Sequence, residues 1–147
     1  MKKINTVFAI ASLLLISCDR WSGGDFHWQN KSSHSVVMTL NGYQGEHTIS
    51  LAPNQDTTFH GVTGSMNPQT IEEHFDGCRL NWFANSFTIE YDDGKVLKYT
   101  YPDDTVTDFS IYNIHTNNLV YELFDKGWQS RFVYTLTDEQ YDYVFGK

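Results

Sequence analysis

Short runs of alternating apolar and polar residues recur along this chain, and they constrain its fold more than any other feature. Val36, Met38 and Leu40 are separated by single residues, so they share one face of a strand. Residues 41–45 interrupt this run with two glycines, and similar runs follow at short spacing. The pattern is typical of an antiparallel sandwich or barrel. We expect an all-β domain, a small antiparallel β-sandwich that is immunoglobulin-like in its general build.

The clearest hairpin turns through the Asp-Asp-Gly sequence of residues 92–94. A two-residue loop would pair Ile89 with Lys98 and mix apolar and polar side chains on one face of the hairpin. A three-residue loop instead pairs Ile89 with Leu97, and it keeps that face apolar. We therefore predict the three-residue loop, with Gly94 in the left-handed conformation of a bulge.

A second hairpin and a short helix are predicted near the C-terminus. The two strands of this hairpin carry the alternating apolar sets Leu119, Tyr121, Leu123 and Phe132, Tyr134, Leu136. Thr137 and Gln140 then have the spacing of a capping box, which marks the start of a helix. We expect this helix to turn Tyr141, Val144 and Phe145 toward the sheet.

The segment from Ser65 to Ala84 gives the weakest pattern. Residues Ile71 to Phe75 are compatible with a helix, and the remainder reads as loop. We find no internal repeat, low-complexity tract or second domain, and about 130 residues suffice for one core.

The N-terminus has the parts of a secretory signal. Lys2 and Lys3 precede an apolar run from Val7 to Ile16, which has about ten residues where a membrane-spanning helix needs roughly 20. The sequence Leu-Ile-Ser-Cys that ends at Cys18 resembles the lipobox of bacterial lipoproteins. This resemblance implies cleavage after Ser17 and a lipid anchor on Cys18. The alternative is an ordinary signal peptide with a cysteine near its end by chance.

These features divide the chain into three parts. Residues 1–17 are the predicted signal peptide, and residues 18–25 form a lipidated tether that is rich in glycine and serine. Residues 26–147 form the sandwich domain. Two or three acyl chains on Cys18 would anchor such a domain stably, since each buried CH₂ contributes about 0.8 kcal/mol.

Charge and cysteine content exclude several kinds of partner and bond. Removing residues 1–17 removes Lys2, Lys3 and no acids, so the formal net charge changes from −8 to −10. Such an acidic domain repels phosphate, and we expect no nucleic-acid partner. Once Cys18 carries lipid, Cys78 has no cysteine with which to form a disulfide, and we interpret it as a buried or loop thiol.

Three segments together resemble small uncharacterised lipoproteins of the Bacteroidota. They are the lipobox, the Asn-Lys-Ser-Ser turn of residues 30–33, and the Tyr-rich last strand and helix start at residues 134–141. That family has no established activity, so the resemblance supplies no functional residues. It implies a lipid-anchored position in the cell envelope, in the outer membrane, and the face of the membrane stays open.

Candidate metal ligands are present but do not have a known ligand spacing. The densest group is Glu72, Glu73, His74 and Asp76, and six histidines are scattered along the chain. Aspartates at 92 and 93 and at 103, 104 and 108 offer oxygen ligands for calcium, but aspartates at turns more often bond local amides. We expect no metal and no cofactor.

No catalytic motif stands out, and we expect no enzyme activity. There is no GxSxG sequence and no glycine-rich phosphate loop, although hydrolysis by paired carboxylates remains an alternative. Aromatic residues make up 16% of the chain, and Trp82, Phe83 and Trp128 are the ones that strand alternation explains least. We interpret these three as binding residues for a protein partner, or alternatively for a glycan.

Overall fold

The computed structural model describes residues 22–62, 65–101 and 109–146. These residues form two four-stranded sheets that pack face to face around an apolar core, with few helices. The predicted β-sandwich with a short C-terminal helix is therefore confirmed. The predicted signal peptide and the lipid anchor at Cys18 lie outside the described residues.

The described residues form eight strands and two α-helices. In chain order they are β1 (Gly23–Asn30), β2 (Val36–Gly42), β3 (Gly45–Leu51), β4 (Asp56–Val62), α1 (Ile71–Trp82), β5 (Ser86–Tyr91), β6 (Val96–Thr100), β7 (Leu119–Phe124), β8 (Gln129–Leu136) and α2 (Asp138–Phe145). The first sheet has the order β4-β1-β8-β7, and the second has the order β3-β2-β5-β6. All pairs are antiparallel except the central pair of the first sheet, in which β1 and β8 are parallel.

Aromatic side chains from both sheets fill the space between them. Trp28 of β1 is fully buried and stacks on Phe87 of β5, with ring centroids 5.1 Å apart. It also contacts Phe26 and Tyr134 within its own sheet, at 4.7 and 5.6 Å. Because each buried aromatic ring removes a large apolar area from water, this cluster supplies much of the cohesion that a disulfide-free domain requires.

The hairpin of β5 and β6 has the predicted register. Ile89 lies opposite Leu97 and Phe87 lies opposite Tyr99, so one face of the hairpin is apolar and buried. Gly94 has a φ angle of 82°, the left-handed conformation that a three-residue loop requires.

Helix α1 begins where the sequence predicted a helix but continues for 12 residues, to Trp82. Thr70 and Glu73 form a capping box at its start, which sequence reasoning missed. The helix packs against strands of both sheets, and Cys78 lies over Gly61 of β4. An Asp-Gly pair follows Phe75 and weakens the local helical pattern, whereas packing on the two sheets stabilises the longer helix.

Helix α2 confirms the predicted C-terminal helix, but its buried face differs from the prediction. Thr137 accepts a hydrogen bond from the backbone N–H of Gln140, as in a capping box, at 3.2 Å. The Gln140 side chain does not return to the cap. It is fully buried and donates to the hydroxyls of Tyr99 and Tyr134, at 3.1 and 2.9 Å. Val144, which we expected to face the sheet, is 37% exposed.

The domain begins earlier than residue 26, so the predicted tether is too long. Ser22 is fully buried, and residues 23–25 already belong to β1. The glycines suggested flexibility, but Gly24 has a packing role. A Cβ at this position would lie 2.2 Å from Ser130 Oγ on the neighbouring strand, so only glycine fits without a shift of Ser130.

The close approach of Gly24 to Ser130 predicts the effect of Gly24→Ala. The added methyl overpacks against Ser130, and we expect a loss of about 1 to 3 kcal/mol in the free energy of unfolding, measured by urea denaturation. The double variant with Ser130→Ala should recover part of this loss, because the nearest remaining contact would be the Ser130 carbonyl oxygen at 3.2 Å. Ser130→Ala alone is the control. A neutral Gly24→Ala would indicate a tether rather than a strand.

Candidate functional site

The three aromatic residues predicted to bind a partner do not form one site. Phe83 is fully buried and packs edge-on against Phe26 at 5.1 Å, so its prediction as a binding residue is wrong. Trp82 and Trp128 are both half-buried, and they lie near opposite ends of α1. Since a 12-residue helix is about 18 Å long, the two tryptophans do not act on one small ligand.

Trp82 has one side covered by other rings. It stacks on Phe59 of β4 with centroids 4.8 Å apart, and the His47 ring lies 5.1 Å away. Beside it lies a hollow of about 280 Å³, lined also by the polar residues Gln44, His60 and Asn81. An aromatic ring with a few polar side chains around it is typical of a site for a small ligand. The volume of this hollow lies at the lower end of the range for such sites.

Strand β7 is an edge strand with an unusual exposed surface. It pairs with β8 on one side, and no other described strand pairs with its outer edge. Five successive residues are exposed, and four are apolar: Val120, Tyr121, Leu123 and Phe124, with exposed fractions of 67, 41, 41 and 37%. Residues from both faces of the strand contribute, because Tyr121 and Leu123 alternate with Val120 and Phe124.

The other three edge strands are protected by polar side chains. The exposed residues of β3 include Glu46 and Thr48, and those of β4 include Asp56 and His60. In β6 the exposed Val96 is followed at two residues by the exposed Lys98. Proteins commonly protect sheet edges in this way against unwanted pairing. We name the exposed apolar strand of residues 119–124 the β7 edge.

Sequence reasoning found β7 as a strand and missed its exposure. The alternation of Leu119, Tyr121 and Leu123 indicated a buried face, and only Leu119 is buried. Tyr121 lies opposite the buried Phe132, so its direction is inward as predicted. The edge position of β7 depends on the strand order, which no local pattern in the sequence reports.

A polar concavity of about 550 Å³ lies on the outer face of the first sheet. Its lining includes His27, His60, Asp25 and Arg131. His60 Nδ1 lies 2.6 Å from Asp25 Oδ1, and His27 Nδ1 lies 2.5 Å from Thr58 Oγ1. The fold thus brings together two histidines that are distant in sequence, but the two rings contact different partners.

The described residues offer no metal centre. Across residues 22–62, 65–101 and 109–146, no three His, Cys, Asp or Glu side chains form a group that could hold a metal ion. The side chains of the Glu72 to Asp76 group do not converge on one point. Glu73 caps its helix, His74 is buried, and Asp76 pairs with Arg79 at 3.2 Å. Of the calcium candidates, Asp103, Asp104 and Asp108 lie outside the described residues.

Asp92 and Asp93 hold turns together. Asp92 accepts hydrogen bonds from the Ser35 backbone N–H at 2.9 Å and contacts the His34 ring nitrogen at 2.8 Å. The Ser35 bond and then the His34 bond lower the pKa of the Asp92 carboxyl. Asp93 accepts from the Tyr141 hydroxyl of α2, and this bond lowers the pKa of Asp93. Both carboxylates thus join the β5–β6 turn to neighbouring segments.

Cys78 is a poor nucleophile in this setting. It is 1% exposed, and burial raises the pKa of its thiol to about 12. Because the thiolate is the reactive form, the thiol stays protonated and unreactive near neutral pH. Its predicted role as a small buried hydrophobic residue fits this environment.

No protein-family model, curated protein sequence or solved structure matches the chain. Among the described residues, neither helix has the length and apolar character that crossing a membrane requires.

The carboxylate at Asp92 predicts a loss of stability in acid. Its folded-state pKa lies below the ordinary value of 3.8, so its contribution is complete above that pH and is lost as the pH falls through the folded-state pKa. We expect Asp92→Asn to destabilise the domain at neutral pH and to converge with the wild type in strong acid, as measured by urea denaturation. Glu46→Gln controls for the loss of one surface charge. An undiminished acid dependence in Asp92→Asn would contradict this role.

Proposed function

We propose that this chain is a lipid-anchored, non-enzymatic protein of the cell envelope that binds a protein partner through the β7 edge. The lipobox-like sequence at Cys18 supports the anchor, and the resemblance to envelope lipoproteins supports an outer-membrane position. The observation that carries the proposal is the run of exposed apolar side chains on an edge strand.

The occupant that suits the β7 edge is an extended segment of another protein. Such a segment adds a strand to the sheet, and its backbone bonds to the unpaired N–H and C=O groups of the edge. Val120 would cover the partner's side chains on one face of the sheet, and Tyr121 and Leu123 on the other, while Phe124 lies at the end of the strand. Covering both faces at once is what separates an added strand from a globular surface docked on one face.

The hollow beside Trp82 supports a second candidate function, the capture of a carbohydrate. The Trp82 indole lines this hollow together with the amide side chains of Gln44 and Asn81. An indole offers a flat apolar surface on which a sugar ring stacks, and the two amides would bond the hydroxyls of that ring. The hollow is distant from Val120 in the strand order, so substitutions on the β7 edge would leave it intact.

The lipid anchor is tested with the two cysteines of the full-length chain. We expect Cys18→Ser to abolish incorporation of labelled fatty acid and to release the domain from the membrane fraction, because the acyl chains supply the membrane affinity. Cys78→Ser is the matched control and should keep both label and membrane position, since Cys78 is buried. Lipid label retained in Cys18→Ser would overturn the anchor.

The partner site is tested by photo-cross-linking in intact cells. A photoreactive residue at Val120 should give an adduct with a different protein, and one at Val96, an equally apolar exposed position on edge strand β6, should give none. A partner strand also predicts an adduct from Tyr121 on the opposite face. Adducts from Val120 alone would indicate a globular surface, and adducts of twice the chain's own mass would indicate a second copy. Either result contradicts strand addition by a partner.

A further inference from the structure

The chain enters the domain between two segments at one end of the first sheet. Ser22 N–H donates to the Ser65 carbonyl at 2.9 Å, and Gly23 N–H donates to the Trp128 carbonyl at 3.0 Å. Cys18 precedes Ser22 by four residues, which reach at most about 14 Å when fully extended. A lipid on Cys18 therefore holds this end of the sandwich close to the bilayer.

The same end carries exposed apolar side chains. Met66, next to Ser65, is 55% exposed, and Phe124, at the last position of β7, is 37% exposed. Trp128 is half-buried and immediately precedes β8. We name Met66, Phe124 and Trp128 the anchor-proximal patch. Tryptophan favours the boundary between headgroups and acyl chains, and phenylalanine is among the residues that interfacial segments bury there.

The turn that presents Phe124 and Trp128 has an unusual backbone. Asp125, Lys126 and Gly127 have φ angles of 51, 56 and 86°, so three successive residues are left-handed. For residues other than glycine this conformation costs about 1 to 2 kcal/mol each, and it persists where surrounding contacts hold it.

Contacts from α1 and from the segment just before it hold this turn in place. The Gly127 carbonyl accepts hydrogen bonds from the Gln69 N–H at 2.7 Å and from Nε2 of the fully buried His74 at 3.1 Å. These bonds fix the turn against the start of the helix. The two aromatic side chains that flank the turn are thus presented on a rigid support.

We infer that the anchor-proximal patch inserts into the interface of a lipid bilayer and sets the orientation of the domain on the membrane. This inference rests on the proposed lipid anchor at Cys18. The lipid supplies affinity, and the patch supplies a second contact that stops the domain from turning freely about its short connection. The β1 and β8 strands then begin at the membrane and run away from it.

The contact depends on apolar insertion rather than on charge. Lys126 is offset by Asp125 within the turn, and Glu72 and Glu73 lie at the start of α1 beside it. Anionic headgroups would be repelled by these acids and by the net charge of the domain. A zwitterionic phosphatidylcholine bilayer should therefore suffice, and anionic lipid should not strengthen the contact.

The test uses the lipidated full mature chain in phosphatidylcholine vesicles whose acyl chains carry bromine, which quenches tryptophan at short range. Trp21→Phe serves as the background, since residue 21 adjoins the anchor in sequence. In this background we expect fluorescence to be quenched, and Trp128→Phe to abolish that quenching. Trp82→Phe is the matched control and should retain it, because Trp82 lies near the other end of α1. Met66→Ser with Phe124→Ser should reduce the quenching while the protein still floats with the vesicles.

The outcomes separate this inference from the anchor on which it rests. Protein that fails to float with the vesicles overturns the lipid anchor at Cys18. Protein that floats without quenching, or with quenching that survives Trp128→Phe, overturns the insertion of the patch and leaves the anchor standing. Quenching that requires added anionic lipid overturns the apolar nature of the contact.

Discussion

The parallel pairing of β1 with β8 lies at the centre of the first sheet, and both outer strands depend on it because each has only one neighbour in the sheet. The register joins Phe26 to Phe132 and Trp28 to Tyr134, so the backbone ladder also aligns the largest rings of the core. These strands come from opposite ends of the described chain. The first sheet therefore cannot form until nearly the whole sequence is available, a topology associated with slow folding.

Aromatic packing takes the place of disulfide bonds in this domain. Cys78 is the one cysteine among the described residues, and it is free. Trp28 joins the two sheets through Phe87, and Phe83 closes the core at the end of α1. Where polar groups enter the core they are mostly paired, as at Gln140, whose amide satisfies two tyrosine hydroxyls. The resulting framework is rigid enough to hold an uncovered edge strand and a strained turn at defined positions.

Local patterns predicted those elements whose stability is itself local. The β5–β6 hairpin was predicted in register because its turn residues and its alternation both lie within one short segment. Gly23 to Asp25 was assigned to a tether, since the reason for glycine there is Ser130, more than one hundred residues away. Likewise, alternation gives the direction of Tyr121 but not what covers it. The β7 edge and the burial of Phe83 both follow from the strand order and from the packing of α1, which periodicity does not encode.

The parallel ladder also decides how the domain would respond to mechanical load. If the N-terminal end of β1 is held and a load is applied beyond the C-terminal end of β8, the two strands are drawn in opposite directions along their own axes. Their eight residue pairs are then loaded together in shear, rather than opened one by one as in an unzipping hairpin. Forced unfolding is governed by the unfolding barrier, so this geometry favours a long lifetime under tension.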